Sequence, residues 1–467
     1  MMSINTNDAI CAIATASGMG AIAVVRLSGQ RCHEIALSIF KSRTRNLDKS
    51  SIVPNKAYFG DLVDGTDVVD EAIVTFFASP HSYTGEDSVE ISCHGSVYIQ
   101  QKVLEILIAR GARLAGPGEF SRRAFLNNKL DLAQAEAVAD LIASQSEASH
   151  KIAVNQLKGG FSKELRDIRS RLLDITSLLE LELDFSEEDV EFADRTQLLG
   201  LIEEAISHIG RLTESFRLGN AIKNGIPVTI AGETNTGKST LLNAILGEER
   251  AIVSDIEGTT RDTVEETFNI FGTLYRFIDT AGIRQTTEEI ERIGIERTFK
   301  KMEEADVILG MVDMTKGLEK AISAIRLIVS KVDRQQQTLI VLCNKRDVAR
   351  DFPCERLLSE FEDIPIEFVS AKDNDDVERI KRFIFNNSSL HSVGANETLV
   401  TNMRHYESLR RSKENLEQVR EGIMVGLSAD LLSQDLRQAL FYLGSITGEI
   451  TNDEVLGNIF GRFCIGK

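Results

Sequence analysis

The spacing of apolar side chains changes along the chain, and each change marks a different kind of element. Up to about residue 125, short runs such as Ala21-Ile22-Ala23-Val24-Val25, Ala72-Ile73-Val74-Thr75-Phe76-Phe77 and Val89-Glu90-Ile91 alternate with glycine-bearing turns. These runs predict strands, joined by one strong helix near 97–110, in an α+β or α/β texture. From about 129 to 220 the period lengthens. Leu165, Ile168, Leu172, Ile175, Leu179 and Leu183 recur every three or four residues, as do Leu198, Ile202, Ala205, Ile209, Leu212 and Phe216. Each series lays an apolar stripe along one face of a long amphipathic helix, whose ordinary role is packing in a bundle.

Between about 225 and 385 apolar strands return, at 228–231, 277–278, 307–309, 339–342 and 368–369, with helical stretches between them. That alternation predicts a parallel-rich sheet covered on both faces. After about 398 the helical period resumes, through Leu416, Val419, Ile423 and Leu427, then Leu432, Leu436, Leu440 and Leu443. Each helical segment carries a wide apolar stripe that needs a partner. The economical fold class is therefore α/β + all-α. An N-terminal α/β domain (1–125) precedes a helical domain made of 126–222 and 386–467, with an α/β nucleotide domain (223–385) inserted between them. Two separate bundles are the alternative.

Length agrees with that division, since 467 residues are too many for one core and fit about three domains. The composition is that of a soluble globular protein, and no apolar run is long enough to span a bilayer. The first residues lack the basic-then-apolar run of a secretory signal, which predicts a cytoplasmic location with no membrane association. The six cysteines are scattered, without a CxxC pair or metal-ligand spacing, as expected in a reducing cytosol. Cys464-Ile465-Gly466-Lys467 looks superficially like a prenylation box, but a final lysine and the lack of a preceding polybasic run argue against it. A net charge of −18 repels phosphates, so any RNA contact must use a local basic patch or a partner protein.

The motif that carries the chemistry is Gly232-Glu233-Thr234-Asn235-Thr236-Gly237-Lys238-Ser239. It follows a predicted strand, and Thr240 continues the helix that it opens. In such a loop, backbone N–H groups cradle phosphates, Lys238 neutralises the terminal ones, and the Ser239 hydroxyl ligates Mg²⁺. Asp279-Thr280-Ala281-Gly282 ends a strand, so Asp279 can reach Mg²⁺ through water and Gly282 can offer its N–H to the γ-phosphate. Asn344-Lys345-Arg346-Asp347 also follows a buried strand, and Asp347 can accept from N1 and the exocyclic amine of guanine, which adenine cannot supply. Ser370-Ala371-Lys372 fits a second guanine-contacting loop. Four elements in this order point to GTP. Thr259 and Thr260 fall where a first switch supplies a hydroxyl to Mg²⁺, Thr260 being the ligand; Asp255, Glu257 and Gly258 belong to the same GTP-binding stretch. Where Ras-like enzymes carry a water-orienting glutamine, this chain has Ile283, so the water-positioning group and the arginine-finger charge must come from elsewhere. Arg284 and Glu291 lie nearby.

A set of further motifs makes a family resemblance specific. Ser82-Tyr83-Thr84-Gly85-Glu86-Asp87, Pro117-Gly118-Glu119-Phe120-Ser121, Ala124-Phe125-Leu126-Asn127, 129–136, 279–284, Glu291-Arg292-Ile293-Gly294 and the terminal Phe463-Cys464-Ile465-Gly466-Lys467 resemble the MnmE (TrmE) family of tRNA-modification GTPases over essentially the whole chain. The resemblance implies a homodimer whose N-terminal domain binds 5-formyltetrahydrofolate or a related tetrahydrofolate through Arg26, Glu90, Lys129 and Lys467. It implies K⁺ in place of an arginine finger, held by Asn235, Ser254, the Ile256 carbonyl and Thr259. Glu291 then matches the residue that orients the attacking water, so that the catalytic set is Glu291, Lys238 and Gly282. Cys464 matches a near-terminal cysteine, either a functional thiol or a structural one. The resemblance also implies a flavoprotein partner, MnmG, and an aminomethyl-type substituent placed at C5 of a tRNA wobble uridine. Three positions depart from the family pattern. Thr234 and Thr236 replace a proline and a small apolar residue, which predicts a less rigid phosphate loop, and Ser96 replaces a second glycine after His94-Gly95. The rival readings are a ribosome-assembly switch GTPase and a folate-dependent transferase with a vestigial nucleotide site.

Overall fold

A computed structural model describes residues 8–184, 195–247, 266–278, 302, 304–388, 398–451, 453–461, 463, 464 and 466. Its contacts divide the chain into two compact units, one of residues 1–142, 155–206 and 411–467, the other of 143–154 and 207–410.

The first unit is built on a seven-stranded sheet in the order β3-β4-β5-β6-β2-β1-β7. Its strands are β1 Ile10–Ile13, β2 Ile22–Ser28, β3 Phe40–Ser42, β4 Ala57–Asp64, β5 Asp67–Phe77, β6 Ser88–His94 and β7 Arg113–Leu114. Every pairing is antiparallel except β1 with β7. The texture is therefore α+β, because β4 and β5 are joined by a hairpin too short for a helical crossover. Strand alternation sends Cys11, Val25, Leu27, Val74, Phe76, Val89 and Ile91 to one face, where they form a core. Helices α1 Cys32–Ile39 and α2 Val97–Ala109 supply Cys32, Ile35, Val103 and Leu107 to that core. The opposite face carries Ala12, Arg26, Glu90 and Thr75 in one register row.

Helix α3 Glu119–Leu126 covers part of that second face, Phe120 packing with Ile10 and Ala12. Helix α4 Leu132–Ala143 starts with a reciprocal cap: Gln134 N–H donates to Asp131 Oδ1 at 2.9 Å, and Asp131 N–H donates to Gln134 Oε1 at 2.9 Å. After α5 Glu147–Leu157, the predicted stripe of 165–183 forms α6 Gly160–Asp184, with Leu165, Ile168, Leu172 and Ile175 buried. The stripe that sequence runs through Phe216 is broken at Ser215, giving α7 Arg195–Glu214 and α8 Phe216–Asn224. The Ser215 hydroxyl turns back to the Leu212 carbonyl there, and it also accepts from Val400 N–H.

The second unit holds a six-stranded sheet, β13-β12-β11-β8-β10-β9, of β8 Ile226–Ala231, β9 Glu266–Ile270, β10 Thr273–Phe277, β11 Val307–Asp313, β12 Thr338–Asn344 and β13 Ile366–Phe368. β11 is buried at every position and β12 at all but its first, the pattern of central parallel strands covered on both faces. β9 was not legible as a strand. It pairs antiparallel to β10 through the Phe271-Gly272 turn, so this sheet has one antiparallel edge. Helices α9 Lys238–Gly247, α10 Leu318–Val329, α11 Cys354–Leu358 and α12 Asn374–Asn387 accompany the sheet. Later in the chain come α13 Met403–Met424, α14 Ala429–Thr447 and α15 Asp453–Phe460, the last two in the first unit. α14 packs along α6, and α15 packs on α3, Phe460 meeting Leu132 and Ala135. Among the described residues no helix is long and apolar enough to cross a membrane.

Candidate functional site

The phosphate loop leaves the buried end of β8 and enters α9, and its two outer glycines are demanded by close approaches. A Cβ on Gly232 would lie 2.4 Å from the Met311 carbonyl oxygen, and one on Gly237 would lie 2.3 Å from Asn344 Nδ2. Gly237 also holds φ at 102°. The Lys238 ammonium donates to the Gly232 and Glu233 carbonyls at 2.8 and 2.6 Å, and its burial depresses its pKa. Thr236 is buried and its hydroxyl donates to the Glu233 carbonyl at 3.0 Å. The threonine thus adds a bond inside the loop. Ser239 lies half-buried in the first turn of α9, while Asn235 and Thr240 are exposed at the loop. These fits, a glycine cradle with a lysine folded over it, suit a nucleotide phosphate.

One side chain joins three of the motifs. Asn344, at the end of β12, is buried; its Nδ2 donates to the Thr236 carbonyl at 2.7 Å and its Oδ1 accepts from Ala371 N–H at 2.9 Å. The phosphate loop and the loop of Ser370, Ala371 and Lys372 are thus tied through one amide. Asp347, Ser370 and Lys372 line a common cavity of about 510 Å³ with Asp373, Asn374 and Asp375. Lys345 pairs with Asp313 at 2.6 Å, at the end of β11. Burial alone would raise the Asp313 pKa, but Lys345 and the two Thr315 donors hold its carboxyl below the usual range. Sequence reading missed Asp313, Lys316 and Asp376. An acidic residue closing the apolar run 307–312 was the available signal for the first. Lys316, which pairs with Glu233 at 2.8 Å, and Asp376 on α12 gave none.

On the open face of the N-terminal sheet, Arg26 and Glu90 sit opposite each other on β2 and β6. Arg26 Nε and Nη2 both donate to Glu90 Oε1, at 3.0 and 2.8 Å. The guanidinium lies 5.1 Å from the Tyr83 ring centre and 5.8 Å from that of Phe120, within cation–π range. Tyr83 is itself fixed to Ser121 by a hydroxyl bond of 2.8 Å. Lys129 is exposed and donates to the Pro80 carbonyl at 3.1 Å, above Gly85. Below this face a buried charge network pins the neighbouring loops: Arg123 meets Asp8 at 2.6 Å, Glu119 at 3.0 Å and Glu86 at 3.3 Å. The end of the chain reaches the same region. Gly118 N–H donates to the Cys464 carbonyl at 3.4 Å, and a Cβ on Gly466 would lie 2.1 Å from the Ile13 carbonyl oxygen on β1. Cys464 is exposed. Ser96 causes no turn problem, because its φ is −67°; the glycine that is needed is Gly95, whose Cβ would meet the Gly20 carbonyl at 2.3 Å.

Ser254, Asp255, Ile256, Glu257, Gly258, Thr259, Thr260, Asp279, Thr280, Ala281, Gly282, Ile283, Arg284, Glu291 and Lys467 lie outside the described residues.

Two family models match the chain: the GTP-binding protein TrmE N-terminus over residues 9–129 and the MnmE helical domain over residues 132–464. A Bacteroides thetaiotaomicron protein named tRNA modification GTPase MnmE is 50% identical over 465 residues, covering 98% of this chain and 99% of the relative. Proteins of the same name from Flavobacterium johnsoniae and Porphyromonas gingivalis are 48% and 49% identical, each over 98% of this chain and 99% and 98% of their own. With its phosphate loop, guanine-type loops and full-length similarity, the chain belongs to the tRNA modification GTPase MnmE family, and it is a GTP hydrolase.

Proposed function

We propose that this GTPase is stimulated by K⁺, acts as a homodimer in the cytoplasm, and works with a flavoprotein of the MnmG type. Together they modify C5 of the wobble uridine of tRNA with a tetrahydrofolate one-carbon unit. The observation that carries the folate part is the seat of the chain end: Gly466 rests on Ile13 of β1, and the adjacent residue Ala12 is the register partner of Arg26. That placement supports a pocket completed by Lys467 beside Arg26, Glu90 and Lys129. Arg26 and Glu90 offer a fork of donors and an acceptor on one sheet face, which suits a pterin-like edge. The match of the helical-domain model to 132–464, on both sides of the nucleotide sheet, supports a nucleotide domain inserted into a helical one.

At the nucleotide site Lys238 would neutralise the terminal phosphates, Asp347 would accept from guanine, and Ser239 and Thr260, with Asp279, would hold Mg²⁺. Mg²⁺ and K⁺ supply positive charge to the phosphate oxygens when bound. Asn235, Ser254, Ile256 and Thr259 would hold K⁺, Glu291 would orient water, and Gly282 would donate its N–H to the terminal phosphate. Two measurements test the reading. Deleting Gly466 and Lys467 should abolish calorimetric binding of 5-formyltetrahydrofolate and leave GTP affinity intact; unchanged folate binding refutes the pocket. GTP turnover should be faster in K⁺ than in Na⁺ and lose that response in Asn235→Ala, by about a hundredfold in rate. Equal rates in the two salts refute the cation assignment.

A further inference from the structure

We propose that Asp376 is a positioning residue for guanine selection, holding the second base-recognising loop in place from below. It lies in the first turn of α12, is 2% exposed, and lines no part of the cavity. Its Oδ2 accepts from the backbone N–H of Ser370 at 2.7 Å, inside the protein. Its Oδ1 accepts from Arg346 at 3.3 Å and from Arg379 at 2.9 Å. Arg346 stands between Lys345 and Asp347, so a single carboxylate ties the loop that carries Asp347 to the loop of Ser370, Ala371 and Lys372.

The arrangement has a mechanical logic. Asn344 fixes the Ala371 N–H from the side of the phosphate loop, and Asp376 fixes the preceding Ser370 N–H from the side of α12. Two successive backbone N–H groups are thereby held by side chains of two different elements, which leaves the loop little freedom to shift relative to Asp347. Arg346 is half-exposed and keeps water within reach, while the Ser370 N–H is buried and has Asp376 Oδ2 as its acceptor. The bond to Ser370 therefore matters more than the arginine pair, because a buried donor left without an acceptor is costly and a surface ion pair is not. Asp376 touches no nucleotide in this scheme. It acts on the accuracy of base recognition through the loop it holds.

The inference rests on the guanine reading of the Asp347 loop, and one experiment separates the two. GDP and ADP affinities are measured on the full chain by competition against a fluorescent guanine nucleotide, for wild type, Asp376→Ala, Asp376→Asn and Arg346→Ala. Asp376→Ala should weaken GDP by about ten- to a hundredfold, the loss of one buried charge-assisted bond, and leave the weak ADP affinity unchanged. Asp376→Asn keeps a carbonyl acceptor for Ser370, so it should recover most of the GDP:ADP ratio, and Arg346→Ala should change that ratio by less than about threefold. If Asp376→Ala does not fold, Asp376→Asn carries the test with a small but measurable loss of the ratio. A wild-type GDP:ADP ratio in every variant, or equal losses of GDP and ADP affinity, overturns the proposal. A wild-type protein that does not prefer GDP to ADP overturns the guanine reading instead.

Discussion

Replacing Asn344 by alanine is the sharpest test of how this nucleotide site is held together. The amide is 3% exposed, and it satisfies two main-chain groups that are themselves buried, the Thr236 carbonyl at 2.7 Å and the Ala371 N–H at 2.9 Å. Truncation leaves both without partners. A buried backbone group stripped of its bond costs about 1–3 kcal/mol, so the two together set a range of about 2–6 kcal/mol. Local relaxation and an entering water reduce this, and about 2–4 kcal/mol is the expected loss in nucleotide affinity. That corresponds to a GDP dissociation constant raised by about thirty- to seven-hundredfold. Gly237 adds to the argument, because the gap left by Nδ2 is the space into which its own missing Cβ would project. The assay is titration with a fluorescent GDP analogue, with thermal unfolding measured on the same samples. Asn344→Asp is the complementary variant: it keeps the acceptor for Ala371 but sets a carboxylate oxygen against the buried Thr236 carbonyl, so it should bind GDP no better than the alanine variant. A change of less than about threefold in GDP affinity for Asn344→Ala would refute the idea that this amide couples the two loops.

Three other outcomes follow from named contacts. Asp347→Asn should exchange guanine for xanthine preference by several kcal/mol, about a hundredfold or more in relative affinity, as read by competition of the two nucleoside diphosphates. Gly466→Ala should abolish folate binding with little change in melting temperature, because its Cβ would strike the Ile13 carbonyl and its φ of 98° disfavours a side chain; full folate binding by calorimetry would contradict this. Glu119→Gln should remove about 3 kcal/mol of stability at neutral pH, since Glu119 is buried between Arg113 and Arg123. Burial alone would raise the Glu119 pKa, but its bonds to Arg113, Gly116 and Arg123 hold it below the ordinary glutamate value of 4.5. Its contribution is therefore complete above that unfolded-state value and is lost as pH falls through the lower folded value. Denaturant midpoints of wild type should drop along that acid range, and those of Glu119→Gln should drop less steeply.

The sequence by itself determined the local chemistry. Gly232 to Ser239 must form a phosphate loop because its two glycines, its lysine and the strand before it act over eight consecutive residues, and the observed β8, loop and α9 follow that reading. The stripes that became α6 and α14 were legible for the same reason, since a helix turns every 3.6 residues whatever it packs on. Edges and breaks were harder. β9 is a short strand whose one buried face contributes only Phe268 and Ile270, too few to set a period, and Ser215 ends a stripe that runs on through Phe216 in register. Tertiary structure alone decided which distant groups meet. Asn344 joins Thr236 and Ala371, Asp376 meets Arg346 of the base loop, and Gly466 reaches β1 across most of the chain. No window of sequence contains both members of such a pair. Hydrophobic periodicity says which face of an element is buried, but it is non-directional and does not say against what. That choice is made when whole elements pack, and it fixes the hydrogen bonds of every buried polar group at once.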